Sequence, residues 1–283
     1  MENHTEPKKR NFFQKIYDKL VCIFHDSKFG HFWSKSHLQY FVLAALMYGF
    51  KAVMYFIVAY ASNPANAVYF GNPHTGVFAM EIDNQIPIVS YFYFFYLLYY
   101  IVPEIFLWVL SFYDKKKVYT LVIATIMASI VAGICYVIQQ VKMIRPEAEM
   151  SQYEDFSSVY NLDTFFKWAI NKQYHADETA LNCFPSLHAT VGMTLSLVGI
   201  WTGKDEKHFP IGWRIFCTLF GLCIVMSTFF VKQHYFIDAV VGAILMVVMY
   251  FVVKLFIVPP FLRRREKKLQ QQSETKEAAA ISE

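Results

Sequence analysis

Six long apolar stretches dominate this sequence and limit what it can fold into. A helix that crosses the hydrocarbon core of a bilayer needs about 20 mostly apolar residues, and each stretch reaches or approaches that length. Hydrophobic residues make up 56% of the chain and charged residues only 17%, which is too few charges to cover a soluble domain. We therefore predict an all-α bundle of six transmembrane helices. The stretches are 38–61, 86–112, 118–141, 185–201, 211–231 and 235–258.

The distribution of positive charge predicts how the bundle is oriented. Most of the 26 Lys and Arg residues lie in the N-terminal arm, the loops after the second and fourth stretches, and the C-terminal tail. The positive-inside rule places these segments, and so both termini, in the cytoplasm of a multi-pass cell-membrane protein. The segments that face outward are then 62–85, 142–184 and 232–234. The chain divides into a cytoplasmic or interfacial arm, a six-span membrane domain and a basic polar tail, which are residues 1–37, 38–258 and 259–283.

The sequence also argues against several functional classes. Its basic residues are scattered between apolar stretches, without zinc-finger spacing or a basic helix, so no nucleic-acid partner is expected. The five cysteines include no CxxC pair, so neither a disulfide framework nor a zinc site is indicated. The N-terminal arm lacks the apolar core of a signal peptide, and we expect no cleavage there.

Three polar patches fall at the outer ends of the last four stretches. The first, VKMIRPEAE, follows the third stretch and contains Lys142 and Arg145. If the helix continues through this patch, the two cations lie three residues apart on one face. The pair fits either side chains that reach back to the membrane surface or a site that binds an anion.

The second patch, LNCFPSLHAT, opens the fourth stretch. Pro185 suits the first turn of a helix, which places Ser186 and His188 in that turn beside unpaired backbone N–H groups. Such a helix start binds anions readily. A capping serine and an interfacial histidine would explain the same residues without any activity.

The third patch, STFFVKQHYFIDAVVG, opens the sixth stretch. His234 and Asp238 are four residues apart, so both lie on one face of a helix. A carboxylate in that position can hold the second ring nitrogen of the histidine and fix its tautomer. An aspartate near a membrane interior is costly and therefore a functional candidate, although a buried pair that only packs the bundle is the alternative.

Taken together, the patches bring two histidines, an aspartate, a serine and several cations to one level of the membrane. Cations and helix N–H groups can neutralise the oxygens of a phosphoryl group. One histidine can attack phosphorus while the other protonates the leaving oxygen. The combination favours phosphoryl transfer.

These residues resemble the pattern of the type 2 phosphatidic acid phosphatase superfamily over roughly residues 85–258. That pattern is a basic residue before Arg-Pro, then Pro-Ser-x-His, then a Ser followed by a His and an Asp at fixed spacing. The flanking segments DNQIP and NCFPSLH are similar to the subgroup related to inositol phosphorylceramide synthases. The matching residues are Arg145-Pro146, Pro185-Ser186-Leu187-His188, Ser227, His234 and Asp238.

The resemblance implies a role for each of these groups. His234 would be the nucleophile that forms a phosphohistidine, Asp238 would orient it, and His188 would be the general acid. Arg145 and Ser186 would hold the phosphate of a lipid substrate at the extracytoplasmic face. The family uses a six-helix membrane bundle and needs no metal or other cofactor.

The chain departs from the family pattern at three positions. The family's first Lys falls on Ile138, the Arg of its third motif falls on Thr228, and the Gly of its second motif is Leu187. Two phosphate-binding cations are thus missing from their usual places. Lys142 and Lys232 are the candidates to replace them.

Alternative functions remain open at this point. Water or another alcohol can cleave a phosphohistidine, so the resemblance implies either a lipid phosphatase acting on a phosphomonoester or pyrophosphate, or a lipid phosphotransferase similar to inositol phosphorylceramide synthase. A transporter that uses the same polar residues is a rival, but no inverted repeat supports it. A family member that binds lipid phosphate without turnover is a third hypothesis.

Two further features lie inside the apolar stretches. Glu104 must face the bundle interior or be neutral, and Lys51 in the first stretch is a possible partner that the sequence alone cannot assign. The aromatic run 91–100 suits contact with lipid or, alternatively, a groove for a lipid chain. The long outer segment 147–181 is expected to cover the site partly, since loops of this length often act as lids.

Overall fold

The computed structural model describes residues 37–61, 74–75, 80–138, 141–177, 182–200 and 209–258. The predicted tail, and the predicted arm up to residue 36, lie outside these residues. Helices account for most of the described part. They are α1 Leu38–Ala61, α2 Glu81–Gln85, α3 Tyr93–Leu98, α4 Val102–Leu110, α5 Lys115–Ile138, α6 Glu147–Met150, α7 Leu162–Ala176, α8 Leu187–Ile200, α9 Ile211–Phe230 and α10 Phe236–Val252.

Four of these helices are long and apolar enough to cross a membrane, namely α1, α5, α9 and α10 together with the π-helical turn Val253–Ile257. They coincide with the first, third, fifth and sixth predicted stretches. The protein is therefore a mostly helical, multi-pass membrane protein. Six spans, and the side on which the termini lie, stay predictions.

The second predicted stretch is broken into two helices. The 3₁₀ turn Ser90–Phe92 and α3 are followed by α4 at an angle of 46°. Pro103 lies in the first turn of α4, where its missing N–H costs nothing, whereas a continuous helix would need that N–H to bond the carbonyl of Tyr99. Tyr99 and Tyr100, which lie at the break, line a cavity.

The fourth predicted stretch forms the central helix, α8, which has 14 residues and a length of about 21 Å. It packs against α4, α5, α9 and α10, and most of its residues are buried. The backbone of α8 comes close to that of α9, because a Cβ atom on Gly192 would lie 2.8 Å from the carbonyl oxygen of Gly221. Only glycine allows the two backbones to come so close.

The segments that are predicted to face outward add a small element that the all-α prediction did not include. Strands β1 (His74–Thr75) and β2 (Val141–Lys142) form a parallel pair, and Val141 also bridges Asn182. The prediction that Lys142 and Arg145 share a helix face was wrong, because α5 ends at Ile138 and residue 142 pairs as a strand.

Helix α7 is the longest described helix of the segment 147–181, which is predicted to face outward, and it begins at a capping box. The Asn161 side chain accepts a hydrogen bond from the backbone N–H of Thr164 at 2.9 Å, and the Thr164 hydroxyl accepts one from Asn161 at 3.1 Å. Its buried face includes Tyr174, whose hydroxyl donates to the carbonyl of Val231 at 2.9 Å. This contact holds α7 over the loop between α9 and α10.

Candidate active site

A cavity of about 220 Å³ lies where the second and third patches meet. Both His188 and His234 line it. Gln173 and Asp177, at the end of α7, form part of its wall, which fits the predicted partial cover by the outer segment. Much of the remaining wall is aromatic, with the tyrosines Tyr48, Tyr55, Tyr96, Tyr99, Tyr100 and Tyr136.

The two histidines face each other in this cavity. Nε2 of His234 lies 3.4 Å from Nδ1 of His188. Nδ1 of His234 lies 2.9 Å from the carbonyl oxygen of Cys183. A carbonyl oxygen can only accept, so Nδ1 carries the proton and a neutral His234 directs the lone pair of Nε2 toward His188. This is the imidazole tautomer that leaves Nε2 of His234 free to act as a nucleophile.

Asp238 lies near Nδ1 of His234 and forms hydrogen bonds to residues of both the second and the third patch. The helix begins at Phe236, so His234 precedes α10 instead of lying within it, yet Oδ2 of Asp238 is still 3.8 Å from His234 Nδ1. The same oxygen accepts a hydrogen bond from the backbone N–H of Tyr235 at 3.0 Å. The backbone carbonyl of Asp238 accepts one from the N–H of Ser186 at 3.0 Å. Asp238 thus fixes both the loop that carries His234 and the segment that precedes α8.

Ser186 is the N-cap residue of α8. Its hydroxyl oxygen accepts a hydrogen bond from the backbone N–H of Ala189 at 3.2 Å, which is the contact of a helix N-cap. The residue is fully buried, and a Cβ atom on Gly242 of α10 would collide with its carbonyl oxygen. The cap places His188 in the first turn of α8, where the helix dipole is positive.

Two tyrosines that the sequence did not mark as site residues hold the ring of His188. The Tyr96 ring stacks on it at 4.5 Å between centroids, with 22° between the planes, and the Tyr99 ring lies 4.2 Å away. Both come from the aromatic run 91–100. Their spacing of three residues puts them on one helical face, which is the signal that would have pointed to them.

Arg145 is buried beside the cavity, and both terminal nitrogens of its guanidinium donate to protein groups. Its guanidinium donates to the side chain of Asp177 at 2.7 Å and to that of Gln233 at 2.7 Å. It also donates to the backbone carbonyls of Asp177 and Tyr174, at 2.6 and 3.3 Å. Asp177 and Gln233 line the cavity, and Arg145 does not. No sequence motif pointed to Asp177.

The two candidate replacement cations lie elsewhere. Lys142 lines a separate hollow of about 580 Å³, together with Glu147 and Glu154. Nζ of Lys232 donates to the carbonyl oxygen of Asp83 at 2.7 Å, and burial lowers the pKa of Lys232. The structure therefore brings neither of them to the cavity that contains the histidines.

Ile138 and Thr228 are the residues at which the resemblance predicts that two cations of the family are missing. The side chain of Ile138 ends α5 with 78% of its surface exposed. Thr228 is fully buried, and its hydroxyl donates to the carbonyl of Val225 at 2.8 Å. Any phosphate in the cavity must be neutralised by other groups.

One cluster near the histidines has the residue types of a metal site. Ligand atoms of Cys183, His234 and Asp238 all lie within 4.8 Å of one another. Burial raises the pKa of the Cys183 thiol well above its ordinary range, which disfavours the thiolate that binds metals. Because Nδ1 of His234 already has the Cys183 carbonyl as its partner, the cluster fits a proton-ordered histidine better than a bound ion.

The sequence matches the family model described as the PAP2 superfamily over residues 70–252. The match covers more than half of the chain and both histidine motifs, so the chain belongs to this superfamily. Comparisons with curated proteins and with solved structures gave no significant match. Membership of the superfamily, together with the long apolar helices, indicates a membrane enzyme of the phosphatase type.

Proposed function

We propose that this protein is a metal-independent lipid phosphatase that works through a phosphohistidine. The observation that carries the proposal is the approach of His234 Nε2 to His188 Nδ1, at 3.4 Å, inside one cavity. A nucleophile and an acid must both reach the phosphorus–oxygen bond that breaks. Two histidines that line the same small cavity satisfy that requirement.

The reaction divides into two steps. In the first, Nε2 of His234 attacks phosphorus, the bond from phosphorus to the lipid oxygen breaks, and His188 donates its proton to that oxygen. In the second, His188 takes a proton from water as the water oxygen attacks phosphorus, the P–N bond breaks, and phosphate leaves. The proton on Nδ1 of His234 is held by the Cys183 carbonyl, with the Asp238 carboxylate 3.8 Å away, and it keeps Nε2 available in both steps.

Stabilisation of the phosphate charge is assigned to several groups. The positive end of the α8 dipole lies at His188, and Ser186 fixes that helix start. Arg145 keeps its predicted role as a phosphate-binding group, which requires a phosphate oxygen to displace the carboxylate of Asp177. The site lies among the segments that the charge distribution predicts to face outward, so the substrate would be drawn from the outer leaflet.

Incubation of the purified protein with a panel of lipid phosphates tests the proposal. We expect phosphate release that persists in excess EDTA, and acid-labile, base-stable phosphate on the protein after rapid quenching. His175→Ala is the matched control, because His175 is exposed and lies outside the cavity. Activity that disappears with EDTA and returns with Mg²⁺ would contradict the proposal.

An alcohol acceptor added to the same assay distinguishes hydrolysis from transfer. A phosphatase releases inorganic phosphate at the same rate whether or not the acceptor is present. If phosphorylated acceptor forms instead and release of inorganic phosphate falls, the phosphotransferase alternative is correct, while the phosphohistidine step is retained.

A further inference from the structure

Among the described residues, one Lys or Arg side chain lines the cavity that contains the two histidines. Arg145, Lys142 and Lys232 do not line it, and the family's two other cation positions are Ile138 and Thr228. Within the described part of the chain, Lys51 of α1 is the one Lys or Arg among the residues that do. A phosphate that enters the cavity therefore meets the ammonium group of Lys51 as the charged donor in its wall.

Lys51 is held in place by an ion pair and by aromatic rings. Its Nζ donates to Oε1 of Glu104 on α4 at 3.3 Å. It lies 5.1 Å from the centroid of the Tyr48 ring and 5.7 Å from that of the Tyr99 ring. Tyr99 in turn packs against His188. Tyr99 therefore contacts both the ammonium group of Lys51 and His188, the proposed general acid.

The free-energy cost of burying the Lys51–Glu104 ion pair argues that the pair has a function. Lys51 and Glu104 are 6% and 8% exposed and lie in helices that the sequence predicts to cross the membrane. A buried ion pair is often no more stabilising than apolar residues of the same size, and ionisable groups in membrane helices are functional candidates by default. The second carboxylate oxygen of Glu104, Oε2, has no hydrogen-bond partner among the described residues. Packing alone does not explain why the pair is there.

We propose that Lys51 is a substrate-binding residue that donates to an anionic oxygen of the substrate's phosphate, and that Glu104 is its positioning partner. The proposal rests on the function proposed above. An ammonium has three N–H donors and no acceptor, and the bond to Glu104 uses one of them, so phosphate can bind without breaking the ion pair. A lysine binds phosphate as a compact point charge, and here it replaces the cations that are absent at positions 138 and 228.

Orthophosphate is the probe that tests this proposal. Its affinity is measured twice, as inhibition of turnover and as stabilisation of the detergent-purified protein against thermal unfolding. Lys51→Met should lower the affinity for orthophosphate by about 10- to 100-fold in both measurements, which is the usual effect of losing a hydrogen bond to a charged group. Lys51→Arg should retain much of the affinity. Lys254→Met is the matched control, because Lys254 also lies over a tyrosine, Tyr250 at 5.5 Å, but outside the cavity.

A second variant covers the case in which Lys51→Met fails to fold because Glu104 is left unpaired. The double variant Lys51→Met with Glu104→Met removes both charges, which is tolerated far better than removing one. We expect it to fold and to bind orthophosphate as weakly as the single variant. A folded double variant that binds orthophosphate with wild-type affinity overturns the assignment of Lys51.

The thermal measurement also separates this inference from the proposed function. If the wild-type protein binds orthophosphate through Lys51 but forms no phosphoenzyme and releases no phosphate from lipids, the proposed function fails and the binding site stands. If turnover and the phosphoenzyme are present while Lys51 variants behave like wild type, the inference about Lys51 fails and the proposed function stands.

Discussion

Nε2 of His234 lies 3.4 Å from Nδ1 of His188, although 46 residues separate the two in sequence. The approach depends on two anchors. The Ser186 cap fixes the start of α8, and the hydrogen bond from the Ser186 N–H to the Asp238 carbonyl ties that start to the loop of His234. The distance between the reactive nitrogens is thus set by backbone contacts between the second and third motifs.

The first prediction separates the roles of the two histidines. His234→Ala removes the nucleophile, so no phosphoenzyme forms with any substrate. His188→Ala should slow phosphoenzyme formation by roughly 10²–10⁴-fold with a lipid phosphate, but less with a nitrophenyl phosphate, whose leaving group needs little protonation. Quenched-flow measurement of protein-bound phosphate gives both rates. Equal rescue of both variants by the nitrophenyl substrate would show that the roles are assigned wrongly.

The second prediction concerns Asp238. Asp238→Asn can still accept the hydrogen bond from the Tyr235 N–H, so the fold and thermal stability should change little. The negative charge near Nδ1 of His234 is lost, however, and the imidazolium that develops during attack is less stabilised. We expect kcat to fall by about 10- to 1,000-fold with KM nearly unchanged. Steady-state kinetics that show a change confined to KM would contradict a positioning role.

The motif residues and the long helices were predictable from the sequence, for physical reasons. A run of about 20 apolar residues folds almost only as a membrane helix. For that reason α1, α5, α9 and α10 coincide with predicted stretches. The sequence predicts His188 and His234 as site residues because the motifs that contain them have a specific chemistry. Both signals are local in the chain.

Contacts between helices were not predictable in the same way. Helices that are apolar on every side have no polar stripe to show which face points inward, so neither the stacking of Tyr96 on His188 nor the pairing of Lys51 with Glu104 could be assigned. The pairing of strand residue Lys142 depends on β1, which is distant in sequence. Asp177 binds Arg145 across 32 residues without any motif.

The third prediction concerns Arg145. Arg145→Ala leaves Asp177 and Gln233 without their shared donor, and buried polar groups that lose a partner are costly. We expect activity to fall at least about 100-fold and thermal stability to fall as well. Arg145→Lys keeps the charge but loses the planar fork that serves several acceptors, so it should recover little. Arg214→Ala is the control, because among the described residues that side chain donates only to the Gly199 carbonyl, from Nε at 3.1 Å. Unchanged kinetics in Arg145→Ala would remove this residue from the site.

The fourth prediction tests the contact between α10 and the start of α8. A methyl group at position 242 collides with the carbonyl of Ser186, so Gly242→Ala must displace the cap and, with it, His188. We expect a large loss of kcat at a moderate cost in stability of about 1–3 kcal/mol. Gly49→Ala is the matched control, since a Cβ there has no atom within 4 Å. Activity in Gly242→Ala equal to that of Gly49→Ala would show that the cap does not position the acid.

The last prediction concerns orientation, on which an outward-facing site depends. Single cysteines are placed at two exposed positions, Tyr160→Cys in the outer segment and Lys116→Cys at the start of α5, in a chain whose five native cysteines are replaced by alanine. Because the positive-inside rule puts Lys116 in the cytoplasm, a membrane-impermeant maleimide should label residue 160 in intact cells. It should label residue 116 only after the membrane is permeabilised. The reverse pattern would place the histidines at the cytoplasmic face, and the substrate would then have to come from the inner leaflet.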